Sequence, residues 1–433
     1  MQQTLKLVDL IALGFMTFAL FLGAGNIIFP PMVGSLAGDQ LWLAALGFLL
    51  TGVGLPLLTV VALARVGGGM DALTAPIGRV AGTVLSVIVY IAIGPAFATP
   101  RTATVSFGVG FAPFVGNGAL PLFVYSVIYF SLVMVISLFP GRLIDNVGKT
   151  ITPALIIALC LLGGAAVLLP VGSSTAGSDL YREAALSEGF LQGYQTMDAL
   201  GALVFGIVII NAIRDRGVTD HRLTTRYAIT AALIAATGLA LVYVSLIYLG
   251  ATSGSLAPSA ETGVPILTEF VHYAFGPAGN VLLAIVITLA CLTTAIGLIT
   301  ACGEYFSALL PVSYRSVVIV FSLFSMAVSN QGLTQLIAVA VPVLVGIYPV
   351  AIALVALGLL AGRWKSPSRV FIPTMLVAAV LGILDGLNAA GMSSLVPEWT
   401  RALPGATFGL GWLVPVAATM AAAAIVDRLV SRR

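Results

Sequence analysis

The sequence predicts an all-α polytopic membrane protein, and three observations carry that fold class. Apolar residues make up 60% of the 433-residue chain and charged residues only 8%. Mean hydropathy is +1.12, whereas soluble domains hold about 45–50% apolar and about 25% charged residues. The apolar runs recur between breakers, and the chain has room for roughly twelve helices of about 20 residues. The cations then fall on one side of those runs. With the N terminus inside, only Arg182 and Arg401 of the 19 Lys and Arg lie outside, and Arg101 lies within a run. One missed or extra span early in the chain would destroy that asymmetry, so both termini are expected in the cytoplasm. The net charge of +3 therefore concerns membrane orientation and not nucleic acid.

Taken in order, the segments cover residues 8–34, 40–64, 80–108, 120–139, 150–170, 196–213, 225–250, 277–303, 313–330, 333–358, 370–389 and 406–427. Residues 1–9 lack the pattern of a cleavable signal, so the first segment is expected to remain as a span. Two outer loops are longer than the rest. Residues 171–195 are expected to be partly helical and solvated. In 251–276, Ile266, Leu267, Phe270, Val271 and Ala274 follow helical spacing. That pattern predicts a short amphipathic helix lying back on the outer face, either as a gate or merely resting there. Cys160, Cys291 and Cys302 lie in or beside spans and suggest neither a disulfide framework nor a metal site.

The first segment is interrupted. Phe18–Pro31 reads FALFLGAGNIIFPP, and a helix interior disfavours Gly by about 1 kcal/mol and Pro by about 3. Backbone freed at membrane depth must be buried in protein or line a polar cavity. A break is therefore expected at Gly23–Asn26, with a second half-helix resuming around Pro30-Pro31. Segment 6 carries Gly201 and Gly206 around ALVF, with Asp198 near its outer end. Those glycines suit either a second break or close helix packing. Segments 1 and 6 are five apart, as two five-segment inverted repeats over 8–170 and 196–358 would require, leaving 370–427 outside. Inverted repeats with interrupted helices put a substrate at their interface. In segment 8, Thr293 and Thr294 follow Ala290 by one turn. Neutral oxygens grouped so suit a monovalent cation, the alternative being hydroxyls that bond their own i−4 carbonyl.

Arg101 in segment 3 would cost about 2.5–3.5 kcal/mol at the bilayer centre. It is expected either in an outer vestibule near Asp198 or snorkelling to the surface. His221 and His272 fall on opposite sides, and the acids are scattered in depth. Nothing resembles HExxH, a Walker A loop or a Ser-His-Asp set, so an enzyme is not expected. A channel should show a charged ring or a carbonyl filter motif, and neither is visible.

DLIALGFMTFALFLGAGNIIFPPMVG, GPAFATPRTATVSF and MDALGALVFGIVIINAI resemble the bacterial branched-chain amino acid:cation symporters, the BrnQ-type carriers. That family is similar in architecture to the amino acid–polyamine–organocation superfamily, with the five-plus-five fold of the bacterial leucine transporter. The resemblance implies alternating-access uptake of leucine, isoleucine and valine across the bacterial inner membrane. Coupling would be to Na⁺, or in some members Li⁺ or H⁺, with no catalytic residue and no other cofactor. It further implies Na⁺ ligands at the Ala19, Leu22 and Ala290 carbonyls with Thr293 and Thr294. The substrate carboxylate would meet amides at Ala24, Gly25 and Asn26, after Gly23. The amino group would meet carbonyls of Phe21 and of Gly201, Ala202, Leu203 and Val204, and Phe205 would wall the pocket. A carrier for another small neutral amino acid or a nucleobase fits the same pattern.

Overall fold

A computed structural model describes residues 4–139, 143–172 and 176–430, without the side chains of 143–154. Arg142, Arg432 and Arg433, counted above as inner-side cations, lie outside the described residues, as does the Lys149 side chain. The described chain is helical throughout. The first span is two half-helices, α1 (Leu7–Phe21) and α2 (Gly25–Ala37), parted by Leu22-Gly23-Ala24. At 15 residues, α1 is about 22 Å long and cannot cross a hydrocarbon core of about 30 Å alone. Its partner resumes at Gly25 rather than at the prolines, and carries Pro30 and Pro31 inside the helix. Both rings lack an amide, so the helix gives up two ladder bonds there.

The second span is α3 (Leu41–Leu49) and α4 (Leu55–Val66), joined by a wide π turn over Leu50–Gly54. After a short α5 (Met70–Thr74), α6 (Arg79–Ile91) and α7 (Ala98–Gly110) form a span kinked at Gly94-Pro95, where Gly94 leaves the helical region (φ −83°, ψ −115°). A one-turn α8 (Ala112–Val115) precedes α9 (Ala119–Leu138) and α10 (Leu143–Leu168). The next pair, α11 (Asp179–Tyr194) and α12 (Asp198–Arg214), meets at 43°. Beyond it come α13 (His221–Ser253) and α14 (Gly263–Leu309), the latter kinked at Gly276 (φ 64°). The chain closes with α15 (Tyr314–Ser329), α16 (Leu333–Leu359), α17 (Pro367–Ala389) and α18 (Leu413–Val430).

Three expectations are corrected. The interruption of segment 6 lies at Gln195–Met197, with Met197 in the left-handed region (φ 63°), while Gly201 and Gly206 sit inside an unbroken α12. Residues 179–194 are not a solvated loop. They form α11, which packs along α3 with Tyr181, Gly189 and Tyr194 buried. The last helix starts at Leu413 instead of 406, because Gly405 (φ 84°) and Gly409 (φ 67°) hold the preceding chain in turns. The amphipathic helix of 251–276 is present as the first arm of α14. Its Ile266, Leu267, Phe270 and Val271 are buried, and Gly263 rests on the Ile28 carbonyl of α2.

Eight helical runs among the described residues are long and apolar enough to cross a bilayer, or nine when the bent pair counts as one. Large apolar side chains such as Leu120, Ile128, Leu376 and Ile425 face outward, as a hydrocarbon solvent requires. Inside, backbones approach closely at glycines. A Cβ on Gly34 would overlap the Ile247 carbonyl, and one on Gly250 would overlap the Pro31 carbonyl. These two contacts draw α2 onto α13 and hold the second half of the first span against a long, unbroken helix. Gly250→Ala is expected to lower stability in detergent by about 1–3 kcal/mol through overpacking, read by thermal unfolding. Gly164→Ala, where the added methyl meets no atom within 4 Å, should leave stability unchanged or higher.

Candidate binding site between the interrupted helices

The two breaks touch. A Cβ on Gly25 would lie 3.1 Å from the Gln195 carbonyl oxygen and 3.2 Å from Thr196 Cα, so a side chain here would crowd the junction by a few tenths of an ångström. Asn26, one residue on, ties the junction together. Its Oδ1 accepts the Gly23 N–H at 2.9 Å, which closes the break in the first span. Its Nδ2 donates to Asp198 Oδ2 at 2.8 Å and to the Tyr243 hydroxyl. Tyr243, on α13, donates in turn to the same Asp198 oxygen, and its ring stands edge-on to Phe48 at 5.1 Å. Asp198 opens α12, where the helix dipole favours a carboxylate. All three side chains are buried. Three helices thus converge on one carboxylate oxygen.

Arg101 comes to the same junction from α7. It is only 2% exposed, so it does not snorkel, and it lines one cavity together with Asp198. Its Nη1 donates to the Gln195 carbonyl at 2.6 Å, and its guanidinium lies 5.1 Å over the Phe29 ring of α2. The kink at Gly94-Pro95 redirects α7 so that this arginine meets the second break.

A second polar cluster lies between α1 and α14. Thr293 Oγ1 donates to the Ala290 carbonyl at 2.8 Å, and Thr294 Oγ1 reaches the same carbonyl at 3.1 Å. Thr294 Oγ1 also lies 3.3 Å from the Leu22 carbonyl across the helix interface. Each hydroxyl thus bonds its own preceding turn, and that of Thr294 also spans to the break. Ala19 lies one turn before Leu22 on α1, half-buried. The chemistry of the set, neutral hydroxyl and carbonyl oxygens, fits a hard monovalent cation better than a divalent one.

Between the two clusters lies a small cavity of about 40 Å³. Phe21, Gly23, Ala24, Gly25 and Asn26 line it, as expected, and so do Gly201 and Phe205. Ala202, Leu203 and Val204 do not. They turn into the packing of α12, and carbonyls inside a continuous helix are engaged in its own ladder. Gly206 packs on Leu63, where a Cβ would overlap the side chain, whereas Gly201 has only Phe205 near it. Sequence reasoning missed Tyr243, Gln195 and Thr196. The polar run Gln195-Thr196-Met197-Asp198 at the head of segment 6 was the available signal for two of them. Tyr243 stands in an apolar run beside a similar Tyr248 and carried none.

The model of a family described as "Branched-chain amino acid transport protein" matches residues 6–430. A branched-chain amino acid transport system 2 carrier protein of Pseudomonas aeruginosa is 63% identical over 428 residues, covering 99% of this chain and 98% of its own. The branched-chain amino acid permease BrnQ of Escherichia coli K12 is 53% identical, covering 100% and 99%. BraB of Bacillus subtilis, also a branched-chain amino acid permease, is 43% identical over 96% and 94%. Among solved structures, MhsT in complex with L-phenylalanine superposes with a TM-score of 0.60 at 17% identity, over 98% and 99% of the chains. Mhp1, a nucleobase-cation-symport-1 family transporter, gives 0.57 at 14% over 96% and 93%. The fold is that of these transporters. By the span of the family match and the identity of its relatives, the chain belongs to the branched-chain amino acid transport protein family, whose members are membrane carriers and not enzymes.

Proposed function

We propose that this chain is a secondary active symporter that brings leucine, isoleucine and valine into the cell by alternating access, coupled to Na⁺. The observation that carries the reading is the contact of two interrupted helices around a cavity, at Gly25 against Gln195 and Thr196. The substrate class rests on the relatives' names. The chemistry of the walls agrees with it, since polar groups at the breaks share the cavity with Phe21, Phe205 and Leu298. Backbone amides at Ala24, Gly25 and Asn26 take the carboxylate end, and the apolar wall takes the branched side chain. One methylene is worth only about 1–3 kcal/mol in such a pocket, so the three amino acids compete.

Na⁺ would be held by the carbonyls of Ala19, Leu22 and Ala290 with the Thr293 and Thr294 hydroxyls. Binding there draws α1 to α14 and favours the outward-open state, and substrate bridging the breaks permits closure. Residues 8–170 and 196–358 form the two inverted repeats, and 370–427 lies outside them. On this reading the twelve segments are spans of the bacterial inner membrane, with both termini cytoplasmic. Short α1 and α15 complete their crossings with the chain that flanks them.

Buried Asp198 favours a second coupling reading. A carboxylate at membrane depth with only neutral partners is the group a proton would join.

Proteoliposomes distinguish the two. An inward Na⁺ gradient should raise uptake of labelled leucine about tenfold over choline, as a coupling of about 1.4 kcal/mol provides; equal uptake in the two salts would sink Na⁺ symport. Thr294→Ala should raise the Na⁺ concentration for half-maximal uptake by a similar factor, with Thr293→Ala in the same direction, and unchanged values in both would remove the α14 site. Under the proton reading, an inward pH gradient alone drives uptake, and Asp198→Asn abolishes that response. No response in the wild type discards it.

A further inference from the structure

The guanidinium of Arg101 has more hydrogen-bonding capacity than its surroundings use. We propose that Arg101 is the side chain that grips the α-carboxylate of the transported amino acid, an assignment that rests on the amino acid carrier reading. The residue is 2% exposed and lines the cavity between the breaks. Nη1 is engaged by the Gln195 carbonyl, while Nε and Nη2 have no hydrogen-bond partner among the described residues. Nε–H and Nη2–H lie parallel along one edge of the guanidinium plane. That edge is the fork which receives two oxygens of a carboxylate at once.

The surroundings fix where the fork lies. Gln195 oxygen is both the acceptor for Nη1 and the nearest neighbour of a Cβ on Gly25, so the guanidinium stands beside the first residue of α2. The N terminus of that 13-residue helix presents its free amides and positive dipole end to the same cavity. Phe29, one turn further along α2, has its ring centroid 5.1 Å from the guanidinium carbon. An anion between α2 and α7 thus meets two donors of different kind. Asp198 lines the same cavity, and no ion pair joins it to Arg101 among the described residues. The positive and negative groups are separated, as an amino acid zwitterion requires. A buried arginine without a counterion is unfavourable until the substrate supplies one. Carboxylate binding therefore also links α7 to both breaks, through Nη1 on Gln195 and the fork on the substrate.

The test is binding of leucine and of leucinol, which has a hydroxymethyl in place of the carboxylate, to the full-length protein in nanodiscs at saturating NaCl. Wild type should prefer leucine by about 100-fold, the range of charge-assisted hydrogen bonds. Arg101→Gln should lose most of that preference by weakening leucine while leaving leucinol nearly unchanged. Arg101→Lys, which keeps the charge but not the fork, should fall between them. Where Arg101→Gln does not fold, the lysine variant decides alone, with a preference reduced about tenfold expected. An unaltered preference in the folded variants overturns this assignment and leaves the carrier reading standing. Absence of leucine binding to the wild type removes the carrier reading and this assignment with it.

Discussion

Interrupting a helix at membrane depth leaves backbone amides and carbonyls that hydrocarbon cannot satisfy, and everything near the centre of this protein answers that constraint. The first span frees groups at Leu22–Ala24 and the second interrupted span at Gln195–Met197. Asn26 closes one break by accepting from Gly23 and joins it to the other through Asp198. Arg101 closes the second break through the Gln195 carbonyl. Thr294 reaches the Leu22 carbonyl from the opposite side. Each of these groups repairs a break, and each also lines the cavity between them. The cavity exists because the groups that repair the breaks stand around a space instead of filling it.

Rigid helices hold this arrangement in place. Long α13 supplies Tyr243 and packs on α2 through the Gly34 and Gly250 contacts, so the half-helix and the hydroxyl that touches its Asn26 are positioned by one interface. Long α14 supplies the threonines near its middle and, beyond the kink at Gly276, an arm that lies on α2. The half-helices α2 and α11 are therefore each clamped from outside, by the arm of α14 and by α3 respectively. A carrier that opens alternately needs elements that move as units about a fixed centre. Half-helices joined by three-residue breaks, packed on unbroken neighbours, have that construction.

The buried charges divide the work. Asp198 and Arg101 lie at the same junction, on different helices, and are not paired with each other. Two opposite charges left apart in a low-dielectric interior are costly unless a ligand of matching polarity comes between them. A zwitterion is such a ligand. The apolar remainder of the cavity includes Phe21, Phe205 and Leu298.

Composition and the alternation of apolar runs with breakers were enough to establish an all-helical membrane protein, because a hydrocarbon solvent imposes its demands on every span. The break in the first span was legible for the same reason: Gly23, Gly25, Asn26, Pro30 and Pro31 are a poor helix by local propensity alone. The Thr293-Thr294 pair was legible as an oxygen cluster because its acceptor lies one turn away in the same helix. Segment 6 was ambiguous locally, since Gly201 and Gly206 suit a break as well as close packing, while the break falls at Gln195–Met197. Arg101 was visible as an anomaly, but its partners are 94 residues away in sequence, and Tyr243 had no local mark at all. Propensity is a property of neighbours along the chain, so it can announce that a helix is interrupted. Which distant oxygen or guanidinium repairs the interruption depends on how the helices pack, and that was decided only by the tertiary structure.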